Sequence, residues 1–224
     1  GTAKPTKEEL LSVRHHLIDV ADPDETWSLS KYHRRVYQLL EEITQREKLP
    51  VLVGGTGQYI FSIIENWKIP EVRPDQDMRD ALYDWVDKIS PSGLYERLVH
   101  IDPEVEAIIQ PENVRRTVRA LEVIFHSGKK FTDSRGPGPQ LYQPIMIGLS
   151  RSREILYQRI DQRLDRMLEN GFIKEVKALI EEGYPPDSPA FSAIGYRQLI
   201  AYLQGYISLK DAIMEIRKSS RILV

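Results

Sequence analysis

Apolar positions along the chain follow two periods, and each period predicts a different kind of element. Thr6 and Glu9 form a capping box ahead of a short helix. Residues 15–20 read as a short strand, which Ala21-Asp22-Pro23-Asp24 ends. Ser28 caps a helix whose apolar face is Tyr32, Val36, Leu39, Leu40 and Ile43, with Trp27 placed for a hydrophobic staple. The continuous apolar run Val51-Leu52-Val53 reads as a strand buried on both faces, and it enters Gly54-Gly55-Thr56-Gly57. Helical spacing returns at Tyr59, Ile60, Ile63 and Ile64. Between Asp77 and Gly128 only helical patterns occur, at 78–89, 94–100, 103–109 and 114–127, with Asp102 as a cap and Gly128 as a left-handed stop. Apolar β-formers reappear at 145–149. Ser152 opens a helix to about Asn170; helices at 172–182, at 194–203 and from Leu209 follow, the last capped by Ser208 with Asp211.

Strand, helix and buried strand in succession predict an α/β fold with a parallel sheet and a right-handed crossover. Two loop-like stretches interrupt it, Pro70-Glu71-Val72-Arg73-Pro74-Asp75 and Gly136-Pro137-Gly138-Pro139. The expected organisation is therefore residues 1–70 as the first part of an α/β core, 71–143 as an all-helical insertion, and 144–224 as the C-terminal part of the core.

Composition narrows the function classes. Hydrophobic residues make up 41% and charged residues 29%, which fits a water-exposed globular protein. The net charge of −2 gives no global signal for nucleic acid, so any such signal must be local. The absence of cysteine removes thiolate chemistry and Cys-ligated zinc, and it fits a reducing, cytoplasmic setting. His15, His16, His33, His100 and His126 show no metal-ligand spacing, and no apolar run reaches membrane-spanning length. Trp27, Trp67 and Trp85 are expected in the core. A start without methionine and an end within a helical pattern read as a piece of a longer chain.

Three stretches could carry chemistry. Gly54-Gly55-Thr56 sets a hydroxyl at the carboxyl end of a strand, where ligands sit in open α/β sheets; it can equally be an ordinary tight turn. No Gly-Lys-Ser/Thr follows, so it is not a Walker A loop. Arg115, Arg116 and Arg119 make a basic face on one predicted helix, with Lys129 and Lys130 behind and only Glu122 nearby as an acidic partner. Phosphate-backbone binding and a solvated face are both open readings. Arg159, Arg163 and Arg166 share a helical stripe, with Asp161 and Asp165 on a different sector. Three aligned guanidinium groups repel one another unless an anion such as diphosphate lies between them, or acidic residues elsewhere pair with them. Asp22, Asp24 and Asp75 read as turn and cap residues without a catalytic role.

Taken together, these stretches resemble the tRNA dimethylallyltransferases (tRNA isopentenyltransferases). The runs that carry the resemblance are Gly1-Thr-Ala-Lys-Pro5, His16-Leu-Ile-Asp19 with Asp22-Pro23, Leu52-Val-Gly-Gly-Thr56, Arg115-Arg-Thr-Val-Arg-Ala-Leu-Glu122, Arg159-Ile-Asp-Gln-Arg163 with Met167-Leu168, and Ile194-Gly-Tyr-Arg-Gln198. The resemblance implies a P-loop-kinase-like core, incomplete here, with a helical insertion that grips the tRNA anticodon stem-loop. It implies transfer of a dimethylallyl group from dimethylallyl diphosphate to N6 of adenosine 37, with the base flipped out of its stack. It implies Thr56 and Arg163 as catalytic residues, and Arg159 with Arg163 on the diphosphate. Thr56, Arg79, Arg115, Arg116, Arg119, Ser192, Gly195, Tyr196 and Arg197 would contact tRNA. The family's phosphate loop and its Asp-Ser element, which holds the general base, are expected upstream of Gly1, as are the ligands of Mg²⁺; no metal ligand is assigned within this chain. A monomer is expected, and the 224 residues alone are expected to be inactive. The rivals are a small-molecule or nucleotide kinase of the same core fold and a non-catalytic RNA-binding fragment.

Overall fold

A computed structural model describes residues 4–223; Gly1, Thr2 and Ala3 of the first family-like run, and Val224, lie outside the described residues. The α-helices among the described residues are α1 (Lys7–Ser12), α2 (Leu29–Gln45), α3 (Gly57–Ile64), α4 (Gln76–Ile101), α5 (Val114–Ser127), α6 (Arg153–Glu169), α7 (Phe172–Glu181), α8 (Tyr196–Leu203) and α9 (Leu209–Ile222), with short 3₁₀ turns at Pro103–Ala107 and Pro189–Ser192. The chain divides into two compact units, Ser28–Ile145 and Gly1–Trp27 with Met146–Val224.

Several helix ends follow directly from local chemistry. The Thr6 hydroxyl accepts the Glu9 amide while the Glu9 carboxylate accepts the Thr6 amide, so the capping box forms. Ser28, Asp75, Asn113 and Ser208 each accept an amide three residues on. Gly128 ends α5 at φ 66°, the left-handed geometry that only glycine adopts without cost.

In the Ser28–Ile145 unit, α4 and α5 pack around Leu82, Leu94, Leu98, Val105, Val118 and Leu121. The two patterns expected at 78–89 and 94–100 are two helical halves of α4, separated by the non-helical Ser90, whose φ is 71° and ψ 161°. Pro91 explains the break, because its ring disfavours helical backbone at the residue before it. Asp102 does not cap with its side chain. It is fully buried, and its carboxylate accepts the Thr132 amide at 2.9 Å and the Thr132 hydroxyl at 2.8 Å, tying the loop after α5 to the end of α4. Trp85 is exposed rather than in the core, with the Arg97 guanidinium over its ring.

The linker after the helical segment lies beside the residues that follow α3. Lys68 and Gly136 form an antiparallel bridge, the Gly138 amide donates to the Glu65 carbonyl, and the Asn66 side-chain amide donates to the Pro139 carbonyl. Gly138 is required by closeness here: a Cβ would collide with the Asn66 carbonyl oxygen.

The second unit centres on Leu164, Phe172, Val176, Phe191, Leu199 and Ile216, contributed by α6 to α9 and the turn at Pro189–Ser192.

The expected parallel sheet is not present among the described residues. Segments 15–20, 49–53 and 145–149 carry β-formers but no ladder, and Val53 and Ile147 are 87% and 82% exposed. A period of apolar residues reports a local preference, whereas a parallel strand is stabilised by neighbours on both edges and helices on both faces.

Candidate functional site

Thr56 precedes α3 with extended backbone, φ −80° and ψ 96°. Its carbonyl accepts the amides of Tyr59 and Ile60, while its hydroxyl makes no capping bond and is exposed. A Cβ on Gly54 or Gly55 would meet nothing within 4 Å, so no crowding within this structure demands glycine there. Behind the turn, Tyr59 stacks on Tyr32 with centroids 4.2 Å apart, fixing α3 against α2. Burial pushes the Tyr32 hydroxyl above its ordinary pKa and pulls His33 below its own, although a bond to the Ser62 backbone opposes the latter.

The arginines of the helical segment divide into two kinds. Arg79 donates from Nε and Nη2 to Glu122 at 2.9 and 3.0 Å, Arg119 donates from Nη1 at 2.5 Å, and the Asp75 amide donates at 2.8 Å. Glu122 is fully buried. Burial alone would raise its pKa, but these donors outweigh it and hold the carboxyl below the usual value. Arg119 also donates to the Val72 carbonyl, so the cluster fastens the incoming linker to α4 and α5. Arg115 and Arg116 are exposed; Arg116 reaches the Ile108 carbonyl, and Arg115 has no partner among the described residues. The expected tRNA residues Arg79 and Arg119 are thus engaged in an internal network, while Arg115 and Arg116 face water.

On α6, Arg159, Arg163 and Arg166 are all exposed on one side, as the spacing predicts. Arg166 folds back to the Gln162 carbonyl, and Arg159 has no partner among the described residues. The opposite side carries Asp161 and Asp165, which pair with Arg221 at 2.5 Å and Arg217 at 2.7 Å. The stripe is therefore not neutralised by the aspartates of its own helix.

The group around 192–197 separates in a similar way. Ser192 and Arg197 are exposed, whereas Gly195 and Tyr196 are buried. The Tyr196 ring meets Phe172 edge-on and stacks on Phe191. Its hydroxyl bonds to Glu175; burial and that carboxylate together raise its pKa. Gln198 accepts the Gly195 amide at 2.9 Å, holding the start of α8.

Thr56 belongs to the Ser28–Ile145 unit, and Arg159 and Arg163 belong to the other. Among the described residues no group of three or more His, Cys, Asp or Glu side chains could hold a metal ion. Sequence reasoning grouped Glu122 with the α5 arginines but missed the part of Arg79, which lies 43 positions away. It also missed the pairing of α6 with α9; the available signal was the i, i+4 pair Asp161/Asp165 facing the i, i+4 pair Arg217/Arg221.

The family described as IPP transferase matches residues 1–224. The chain belongs to the IPP transferase family. A tRNA dimethylallyltransferase of Thermomicrobium roseum is 42% identical over 217 residues, covering 97% of this chain and 66% of that protein. The full-length tRNA isopentenylpyrophosphate transferase of Bacillus halodurans superposes with a TM-score of 0.66 at 39% identity, over 98% of this chain and 69% of that one. A eukaryotic dimethylallyltransferase, solved acting on tRNA, gives a TM-score of 0.78 at 25% identity, over 98% of this chain and 56% of that one. The chain thus spans about two thirds of the length of the curated relative it matches. Family membership agrees with the motif runs, which extend over nearly all of the sequence. No helix among the described residues is long and apolar enough to cross a membrane.

Proposed function

We propose that this chain belongs to a tRNA dimethylallyltransferase, which moves a dimethylallyl group from dimethylallyl diphosphate to N6 of adenosine 37 in the anticodon stem-loop. The observation that carries the reading is the whole-chain match to relatives named for this activity. It also removes the support for a kinase.

The chemistry assigns distinct tasks to the residues. A C–N bond forms from N6 to the allylic carbon, the C–O bond to diphosphate breaks, and the electron pair leaves with diphosphate. The N6 proton passes to a base, which the reading places outside these residues. Arg163, with Arg159 beside it on α6, stabilises the charge that develops on the leaving diphosphate. The Thr56 hydroxyl, which no cap engages, is available to position substrate. Arg115, Arg116, Ser192 and Arg197 are exposed polar groups suited to RNA phosphates. Arg79 and Arg119, which are partly exposed, brace that face through Glu122 and keep guanidinium surface for RNA. Mg²⁺, which the family resemblance implies, would offset charge on the leaving diphosphate, and no step above runs through it.

The test uses full-length enzyme with labelled dimethylallyl diphosphate and stem-loop RNA. Arg163→Ala is expected to lower turnover about a hundredfold while leaving RNA affinity intact. Collapse of RNA affinity with normal single-turnover chemistry would make Arg163 a tRNA contact instead. Absence of transfer by the wild-type enzyme would remove the reading itself.

A further inference from the structure

A cleft of about 620 Å³ lies between α6 and α9, lined by Arg153, Tyr157, Met214, Arg217, Lys218 and Arg221, with Ile222 at its end. Its cations are of two kinds. Arg217 and Arg221 are held by Asp165 and Asp161. Arg153 and Lys218 are exposed and have no partner among the described residues. Four cations face two carboxylates, so the cleft keeps an excess of about two positive charges. Arg221 also lies over the Tyr157 ring at 5.1 Å, which fixes that guanidinium at the cleft wall.

Helix geometry separates this cleft from the arginine stripe. At about 100° per residue, Tyr157, Asp161 and Asp165 fall within roughly 120° of Arg153, on the side that packs on α9. Arg159, Arg163 and Arg166 fall on the opposite side, roughly 220–280° from Arg153. One diphosphate cannot meet both sides of a single helix.

We infer that the α6–α9 cleft is a second anion site, which takes a backbone phosphate of the RNA through Arg153 and Lys218. This rests on the reading above, in which Arg159 and Arg163 meet the donor diphosphate. With that anion assigned to the stripe, the remaining polyanion in the reaction is the RNA. The apolar wall of Tyr157, Met214 and Ile222 suits a ribose beside the phosphate, and the open, exposed lining suits a strand passing over the surface.

The experiment compares full-length wild-type enzyme with Arg153→Ala/Lys218→Ala, measuring stem-loop affinity from 50 to 300 mM salt (about these limits) and the KM for dimethylallyl diphosphate. The expected result is RNA affinity lowered severalfold at low salt, a salt slope reduced by roughly 0.7–0.9, as for one phosphate contact, and an unchanged donor KM. A raised donor KM with an unchanged slope would overturn the inference and make the cleft a donor site. No change in either quantity would also overturn it, leaving a solvated face. If the alanine pair fails to fold by circular dichroism, Arg153→Gln/Lys218→Gln is read by the same criteria. Wild-type enzyme that binds no stem-loop would instead refute the underlying reading, so the two failures are distinguishable.

Discussion

Glu122 is the residue at which burial and charge compete most directly. Four N–H donors converge on it, two from Arg79, one from Arg119 and one from the Asp75 backbone. Glu122→Gln keeps the shape but turns an amide N–H₂ toward the guanidinium groups. Arg79 and Arg119 remain 29% and 32% exposed, so water relieves part of the cost, and the expected loss is about 2–3 kcal/mol at neutral pH. Its folded pKa lies below the unfolded value, so its contribution is full above about pH 4.3 and is lost as pH falls through the depressed folded value. Urea midpoints at about pH 7 and pH 3 check this. The wild type should lose stability on acidification that the Gln variant does not, and equal losses would remove Glu122 from the acid limb. Arg115 and Arg116 should behave oppositely. Replacing both with Ala is expected to shift stability by about 0.5 kcal/mol or less and to lower the RNA salt slope by roughly 1.5. The sequence showed these arginines and Glu122 as one cluster, but not which were internal, because nothing local reports that Arg79 arrives from another helix. Asp102 was misleading for the same reason: its position before Pro103 reads as a cap, and its partner Thr132 is 30 residues away.

At the scale of elements, helices were legible and strands were not. Ser28, Gly128 and Ser208 mark their helix ends because the chemistry of an end is settled within four residues. Residues 49–53 and 145–149 have the right composition for strands, yet a ladder depends on partners that local pattern cannot supply. The break in α4 lies between these cases. Pro91 signals it, but its form, Ser90 at φ 71° and ψ 161°, is a glycine-like conformation that costs a serine about 1–3 kcal/mol. The Ser90 hydroxyl accepts the Gly93 amide at 3.3 Å, which recovers a little. Ser90→Gly should therefore raise stability by about 1 kcal/mol, read as a higher thermal midpoint. A lower midpoint would mean that the hydroxyl bond outweighs the strain.

For the whole molecule, the notable surface is apolar. Leu49, Val51, Val53, Ile145, Ile147 and Leu149 are exposed and have no ladder partners among the described residues. Exposed apolar segments rich in β-formers pair readily with other chains. The 224-residue chain expressed alone should therefore associate as its concentration rises, in sedimentation velocity, and Val53→Lys with Ile147→Lys should reduce that association. Unchanged sedimentation would place the sticky surface elsewhere.

The bridge between Lys68 and Gly136 has a mechanical consequence. Tension applied along the backbone from the two sides of the helical segment would pass through that bridge and the Asn66–Pro139 bond, bypassing the 68 peptide units between Lys68 and Gly136. Helices α4 and α5 would feel no load until the clasp breaks. An optical-trap record should then show one abrupt extension rather than gradual lengthening, because the segment is exposed to force all at once. The contour released is about 240 Å, from roughly 3.5 Å per residue. Asn66→Ala should lower the force at which that step occurs without changing its length.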